Sequence, residues 1–248
     1  MPGLYPFGFF IRLIKGCHYF VIRGQVSRKI LVMQILFTFV EALGLSSLLA
    51  LGIGTVVNVV AMPLLAGFSQ EKLIYPVLIA LVTREFGPLF VAFIISARSA
   101  TAIATEVAGI VISHEAEAYI SVGIDPIEHL GVPRFLGVTI SVFLLNIYFS
   151  IFGLGASYLA AQLFNPMPAA VYFGNLLDSL KGWDIGISLI KSVVFGMIIS
   201  TVAIYQGFSV ERASTEVPVA GLKAVGSSMG LFIVADIVLS VLYYMVLA

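Results

Sequence analysis

The chain has 248 residues, of which 60% are hydrophobic and 10% charged, and its mean hydropathy is +1.09. A soluble domain is about half apolar and about a quarter charged, so the excess apolar surface here must face lipid rather than water. The 13 basic and 13 acidic residues cancel, which leaves no charge footprint for nucleic acid, and the single cysteine, Cys17, excludes an internal disulfide.

Residues 1–29 mix aromatics (Tyr5, Phe7, Phe9, Phe10, Tyr19, Phe20) with Arg12, Lys15, Arg23, Arg28 and Lys29. That mixture suits an amphipathic helix lying in the interface on anionic lipid. The basic residues break the apolar stretches too often for a cleavable signal peptide. Residues 30–248 read as one membrane domain, with no linker or repeat dividing it.

A spanning helix needs about 20 mostly apolar residues, and five segments qualify. The first lies in 30–68, longer than one span requires, so its start is expected along the interface before the chain turns inward. The second is 73–97, preceded by the short turn Ser69-Gln70-Glu71-Lys72. The third, 135–163, stops at Asn165-Pro166-Met167-Pro168, because proline cannot continue a helix beyond its first turn. The fourth is 185–206 and the fifth 222–247. Between spans two and three, Arg98–Arg134 is too polar to span and reads as one or two short surface helices. With the N-terminus inside, nine basic residues (Arg12, Lys15, Arg23, Arg28, Lys29, Arg98, Arg134, Arg212, Lys223) fall on the inner side and two, Lys72 and Lys181, on the outer. That bias predicts N-inside, C-outside.

Several motif matches fail. Gly226-Ser227-Ser228-Met229-Gly230 fits the G-x-S-x-G nucleophile elbow but sits inside an apolar span, where small residues serve close helix packing. His114-Glu115 opens like H-E-x-x-H, but Ala118 stands where the second histidine belongs, and His18, His114 and His129 are scattered, so no metal site is expected. No G-x-x-x-x-G-K-[ST] occurs, so nucleotide hydrolysis would need a partner.

Ionisable residues within spans are costly and are functional candidates by default. Here they are Glu41, Arg84, Glu85, Lys191 and Asp236. As neighbours on a helix, Arg84 and Glu85 point about 100° apart and are not expected to face one neighbour. Substrate contact and a purely structural ion-pair network both remain open for them. Lys191 and Asp236 sit at matching depths, roughly 21–23 Å above the inner face, on consecutive antiparallel spans, which predicts a structural ion pair.

Thr83-Arg84-Glu85-Phe86-Gly87-Pro88 and Ala97 through Glu106 together resemble the MlaE-type permeases of MCE lipid transporters. So do Glu115–Ala118, Gly123-Ile124-Asp125-Pro126, Val132-Pro133-Arg134-Phe135, Ile190 through Phe195, and Glu216-Val217-Pro218 with Ala224-Val225. The family usually has glycine at the positions of Ala100 and Ala108. The resemblance implies an all-α fold: an N-terminal interfacial helix, five spans and a cytoplasmic coupling helix between spans two and three. It further implies an ABC transporter permease of a bacterial inner membrane, acting as a homodimer on phospholipid or related lipids. A separate ATPase subunit would use ATP and Mg, with a periplasmic MCE-domain protein above and a STAS-domain protein often on the ATPase. The coupling region would be 99–134, with Glu106, Glu115, Glu117, Asp125 and Glu128 toward the ATPase. Lipid would lie between protomers, against Val57, Leu64, Leu65, Phe68 and Phe86, with Arg84 or Glu85 at its polar part. The competing readings are an energy-independent scramblase, a membrane anchor, or an intramembrane lipid-modifying enzyme, and no catalytic constellation supports the last.

Overall fold

The computed structural model describes residues 6–23, 28–164, 166–211 and 213–247. Tyr5, Arg212, Asn165 and the side chains of Tyr19, Phe20, Arg23, Arg28 and Lys29 lie outside the described residues. Helices α1 (Pro6–Arg23) and α2 (Arg28–Gly67) are followed by a short 3-10 turn (Glu71–Leu73) and α3 (Ile74–Ile112). Then come α4 (Glu115–Ser121), α5 (a wide turn at Ile127–Gly131 running into Val132–Phe164), α6 (Ala169–Ser179), α7 (Gly182–Phe208) and α8 (Glu216–Leu247). Five of these, α2, α3, α5, α7 and α8, are long and apolar enough to cross a membrane.

The order of packing is α2 on α5, α5 on α7, and α7 on α8, with α3 laid against them. Burial follows that order: within the most apolar window, 61% of α3 and 56% of α7 are buried, against 22% of α2 and 6% of α8. α3 and α7 are therefore the centre of the bundle, and α2 and α8 its open flanks. Small residues allow the closest crossings. A methyl at Gly54 of α2 would stand 2.0 Å from the Gly153 carbonyl oxygen of α5, so only a glycine fits this contact.

The main core contains Phe9 and Leu13 of α1 together with Val91, Ile95, Phe135, Phe149, Phe195 and Phe232. α1 docks edge-on through Phe9 to Tyr205 (centroids 5.6 Å apart) and through Phe10 to Phe135 (6.4 Å). An ion pair between Arg12 and Asp125 holds it to the segment before α5. At the opposite end, Tyr75, Leu78, Tyr172 and Leu176 form a smaller cluster under α6. There the Tyr172 hydroxyl meets Ser157 Oγ at 2.8 Å.

Two boundaries differ from those expected. α2 runs unbroken for 40 residues, so the chain does not turn at the start of the first span. α3 does not stop at Ala97: it continues through Arg98 to Ile112, so 99–112 prolongs the same helix rather than forming a separate one. Buried Ala100, Ala104 and Ala108 explain the extension, since their small side chains keep this stretch packed in the bundle. The methyls of Ala100 and Ala108, where the family usually has glycine, are accommodated there. What remains outside the bundle between α3 and α5 is the loop carrying α4, none of whose residues is buried. The sequence also gave no sign of α6.

Candidate functional site: a charged seam inside the bundle

α3 is not a regular helix. Ile79–Phe86 and Ser96–Ala100 are wound as π-helix. Such stretches are rare and frequent at functional sites. Pro88 follows the first, and a proline removes one i→i−4 hydrogen bond and crowds the preceding turn. The widened turn leaves the Thr83 carbonyl to accept a hydrogen bond from Ser188 Oγ of α7 at 2.7 Å. Asn146 of α5 donates to the same Ser188 hydroxyl at 2.9 Å. Gly87 makes room for this: a methyl there would lie 2.8 Å from the Val82 carbonyl and 2.9 Å from Asn146 Oδ1.

The wide turn brings Arg84 and Glu85 into one network instead of separating them, and Arg84 Nε lies 3.2 Å from Glu85 Oε1. Arg84 reaches Asp184 at the start of α7 (3.2 Å) and donates to the Tyr244 hydroxyl of α8 (2.6 Å). Its guanidinium stacks 4.8 Å from the Tyr243 ring centroid, and the Tyr243 hydroxyl donates to Asp184 at 2.8 Å. Glu85 accepts from Lys191 Nζ at 2.6 Å. Lys191 is fully buried; its ammonium also donates to Ser240 Oγ at 2.7 Å and lies 2.8 Å from Asp236 Oδ1. The Asp236 contact is an ion pair without good hydrogen-bond direction, because that oxygen has no hydrogen-bond partner. Two bases thus face three acids along the seam where α3, α7 and α8 meet. Asp184 was not foreseen in this network, nor was the link of Glu85 to Lys191, since nothing in residue spacing shows which way a distant helix faces.

The other expected site residues are dispersed. Val57 and Leu65 pack partly against the smaller cluster, Leu64 and Phe68 are exposed, and Phe86 stacks edge-on to Phe90 with centroids 5.7 Å apart. Glu115, Glu117 and Glu128 are exposed on or beside α4. Glu106 and Asp125 are occupied within the chain, by Arg134 and Arg12. Glu41 of α2 pairs with Arg98 of α3. In the Gly226–Gly230 motif, Ser228 points inward and shares a hydrogen bond of 2.6 Å with Ser96. The expected close packing at its glycines is not made within the chain, because a methyl at Gly226 or Gly230 would meet open space.

Among the described residues, an all-helical bundle with five helices long and apolar enough to cross a membrane defines a multi-pass membrane protein. The model of the family Permease MlaE matches residues 31–242, and the chain belongs to that family. It is 26% identical to a probable ABC transporter permease protein of Rickettsia prowazekii, over 91% of this chain and 87% of the relative. It is 22% identical to the intermembrane phospholipid transport system permease protein MlaE of Haemophilus influenzae, over 87% and 83%. It is also 23% identical to Protein TRIGALACTOSYLDIACYLGLYCEROL 1, chloroplastic, of Arabidopsis thaliana, over 90% of this chain and 64% of the relative.

Proposed function

We propose that this chain is the membrane subunit of an ATP-driven transporter that moves phospholipid or a related lipid between a bacterial inner membrane and the outer envelope. The family match across residues 31–242 carries this reading, together with relatives named as ABC and phospholipid transport permeases. In it, two copies pair along the open flanks of the bundle. The nearly bare α8 and its open Gly226-x-x-x-Gly230 spacing support that pairing, since such spacing lets helix backbones approach closely. A cytoplasmic ATPase subunit, using ATP and Mg, seats α4 and its acids Glu115 and Glu117, with Glu128 beside them. A STAS-domain protein sits on the ATPase and an MCE-domain protein at the opposite membrane face. The N-terminus is cytoplasmic, the C-terminus periplasmic, and α1 lies along the inner interface.

Mechanically, α3 joins the two ends. Its last turns lead directly into α4, and its first π-helical stretch holds the Arg84–Glu85 seam against α7 and α8. Movement of α4 by a partner is transmitted as a rigid-body shift along one helix. It reaches the contacts that hold α8, beside which lipid would pass.

The test is reconstitution. The subunit should co-purify with an ABC ATPase and an MCE-domain protein, and the complex should transfer fluorescent phospholipid to acceptor vesicles only with ATP. Lipid movement at equal rate without ATPase would make the chain a scramblase. Failure to recover either partner, with no transfer, would remove the transporter reading.

A further inference from the structure

A half-open cavity of about 560 Å³ lies between the start of α2, the second π-helical stretch of α3 and the start of α5. None of the expected lipid residues lines it. Ile30, Met33 and Phe37 of α2 provide an apolar wall, Gln34, Thr38 and Ser99 add neutral polar groups, and two ion pairs supply the charge: Glu41 with Arg98, and Glu106 with Arg134.

Three observations indicate that the cavity is built for an occupant. Arg134 is only 9% exposed, and its Nε is buried without an acceptor although Nη1 and Nη2 are satisfied by the Leu130 carbonyl and Glu106. A buried guanidinium donor left unpaired is costly. The Glu41–Arg98 pair is 45% and 46% exposed on a helix face that also exposes Phe37, Val40 and Leu45. Acyl chains alone cannot solvate that pair. Finally, 40 residues make α2 about 60 Å long, twice the roughly 30 Å hydrocarbon core. Even tilted by about 40°, it spans the core and the head-group layers together. The cavity, lined by α2 from Ile30 to Glu41, therefore starts at head-group depth and runs into the outer part of the hydrocarbon core.

The charges select the head group. Two arginines and two acids sum to zero, so a net anionic head would add an uncompensated charge. A zwitterion carrying a phosphate diester and a primary ammonium matches both signs. Its phosphate accepts from Arg98 and Arg134, where charge-assisted guanidinium contacts are strong, and its ammonium donates to Glu41 and Glu106. A volume of this size holds a head group and glycerol, with acyl chains leaving along Ile30, Met33 and Phe37. We propose that this cavity binds one zwitterionic aminophospholipid per chain, at the α4 end of the bundle. The inference rests on the lipid-transport reading and adds to it a second lipid position and a head-group preference.

Native mass spectrometry of the intact complex, titrated with dihexanoyl phosphatidylethanolamine, tests it. One lipid should bind per chain, at least about tenfold more tightly than dihexanoyl phosphatidylglycerol, with inorganic phosphate and O-phosphoethanolamine failing to compete at equal concentration. Glu41→Gln with Glu106→Gln should abolish that preference. Ala102→Phe, which fills the cavity from an exposed wall position, should abolish the binding while the unfolding temperature is retained. Equal binding of both lipids, or full binding by Ala102→Phe, would overturn the proposal. Effective competition by inorganic phosphate would make this a free-anion site instead. Loss of the dimer in Ala102→Phe with an unchanged lipid count would make the cavity a contact between copies. ATP-driven transfer by the unmodified complex is measured in parallel: its absence with lipid bound counts against the transport reading alone.

Discussion

Lys191 Nζ lies 2.6 Å from Glu85 Oε2, so the fully buried cation of α7 is shared between an acid of α3 and Asp236 of α8. The ammonium donates to Glu85 and Ser240 and lies within ion-pair distance of Asp236. Three helices meet at one charge, and removing it leaves two partly buried carboxylates without their shared cation.

This geometry decides the outcome of a charge swap. Lys191→Met should destabilise the subunit by about 3–5 kcal/mol, as expected when a buried pair loses one partner. Exchanging the charges, Lys191→Asp with Asp236→Lys, should fail to restore it, because an acid at position 191 stands beside Glu85. Adding Glu85→Gln to the swap should recover much of the loss. Thermal unfolding of the detergent-solubilised protein reads all three; full rescue by the simple swap would show that Glu85 is not part of the pairing.

The glycines separate folding from assembly. Gly54→Ala forces a methyl onto the Gly153 carbonyl and should cost at least the 1–3 kcal/mol typical of overpacking. Gly226→Leu and Gly230→Leu meet open space within one chain, so they should leave its unfolding temperature unchanged. They should nevertheless weaken pairing of copies, read by in-membrane crosslinking. Crosslinking at wild-type yield in both would show that the α8 face is not where copies meet.

Charge on α4 should matter to a partner and not to the fold. Glu115 and Glu117 are exposed, and they meet Ser113 and His114, each at 3.1 Å. Glu115→Lys with Glu117→Lys should weaken capture of the ATPase about tenfold, ~1.4 kcal/mol. Unfolding should shift by less than about 0.5 kcal/mol, as for ordinary surface changes. Undiminished capture would free α4 of this role.

Cys17, on α1 outside the spans, has its thiol pushed up from about 9 to about 11 by burial. Only the thiolate alkylates, and a raised value means less thiolate at any pH below it. At pH 8, iodoacetamide should react about 100-fold more slowly than with an ordinary thiol. The rate should rise about tenfold per pH unit up to pH 10. Rapid labelling at pH 8 would show that α1 is not docked as described.

The number of spans was readable because apolar length is a property of composition, and proline and polar breaks mark most of the ends. The extent of α3 was not. Arg98 and Glu106 open a stretch that reads as an exit from the membrane, yet both are neutralised by Glu41 and Arg134 on other helices. Charge cancelled by a distant partner looks the same in sequence as charge facing water. α6 was missed because 11 residues between proline-rich and charged flanks are too short to announce a span. Lys191 and Asp236 could be paired by depth alone. Glu85 could not be joined to them, because the angle at which it leaves α3 depends on a local winding that residue spacing does not reveal.

That winding has a mechanical side. A π-helical stretch holds more residues per turn than an α-helix and so rises less with each one. Tightening it would lengthen the helix and twist one end against the other. In Ile79–Phe86 this is opposed by Pro88, which has no N–H to give the tightened turn. Ser96–Ala100 contains no proline and none follows it before Ile112. α3 is thus a strut clamped at its Arg84 half and adjustable at its Arg98 half, so any change of length occurs next to the Glu41–Arg98 pair.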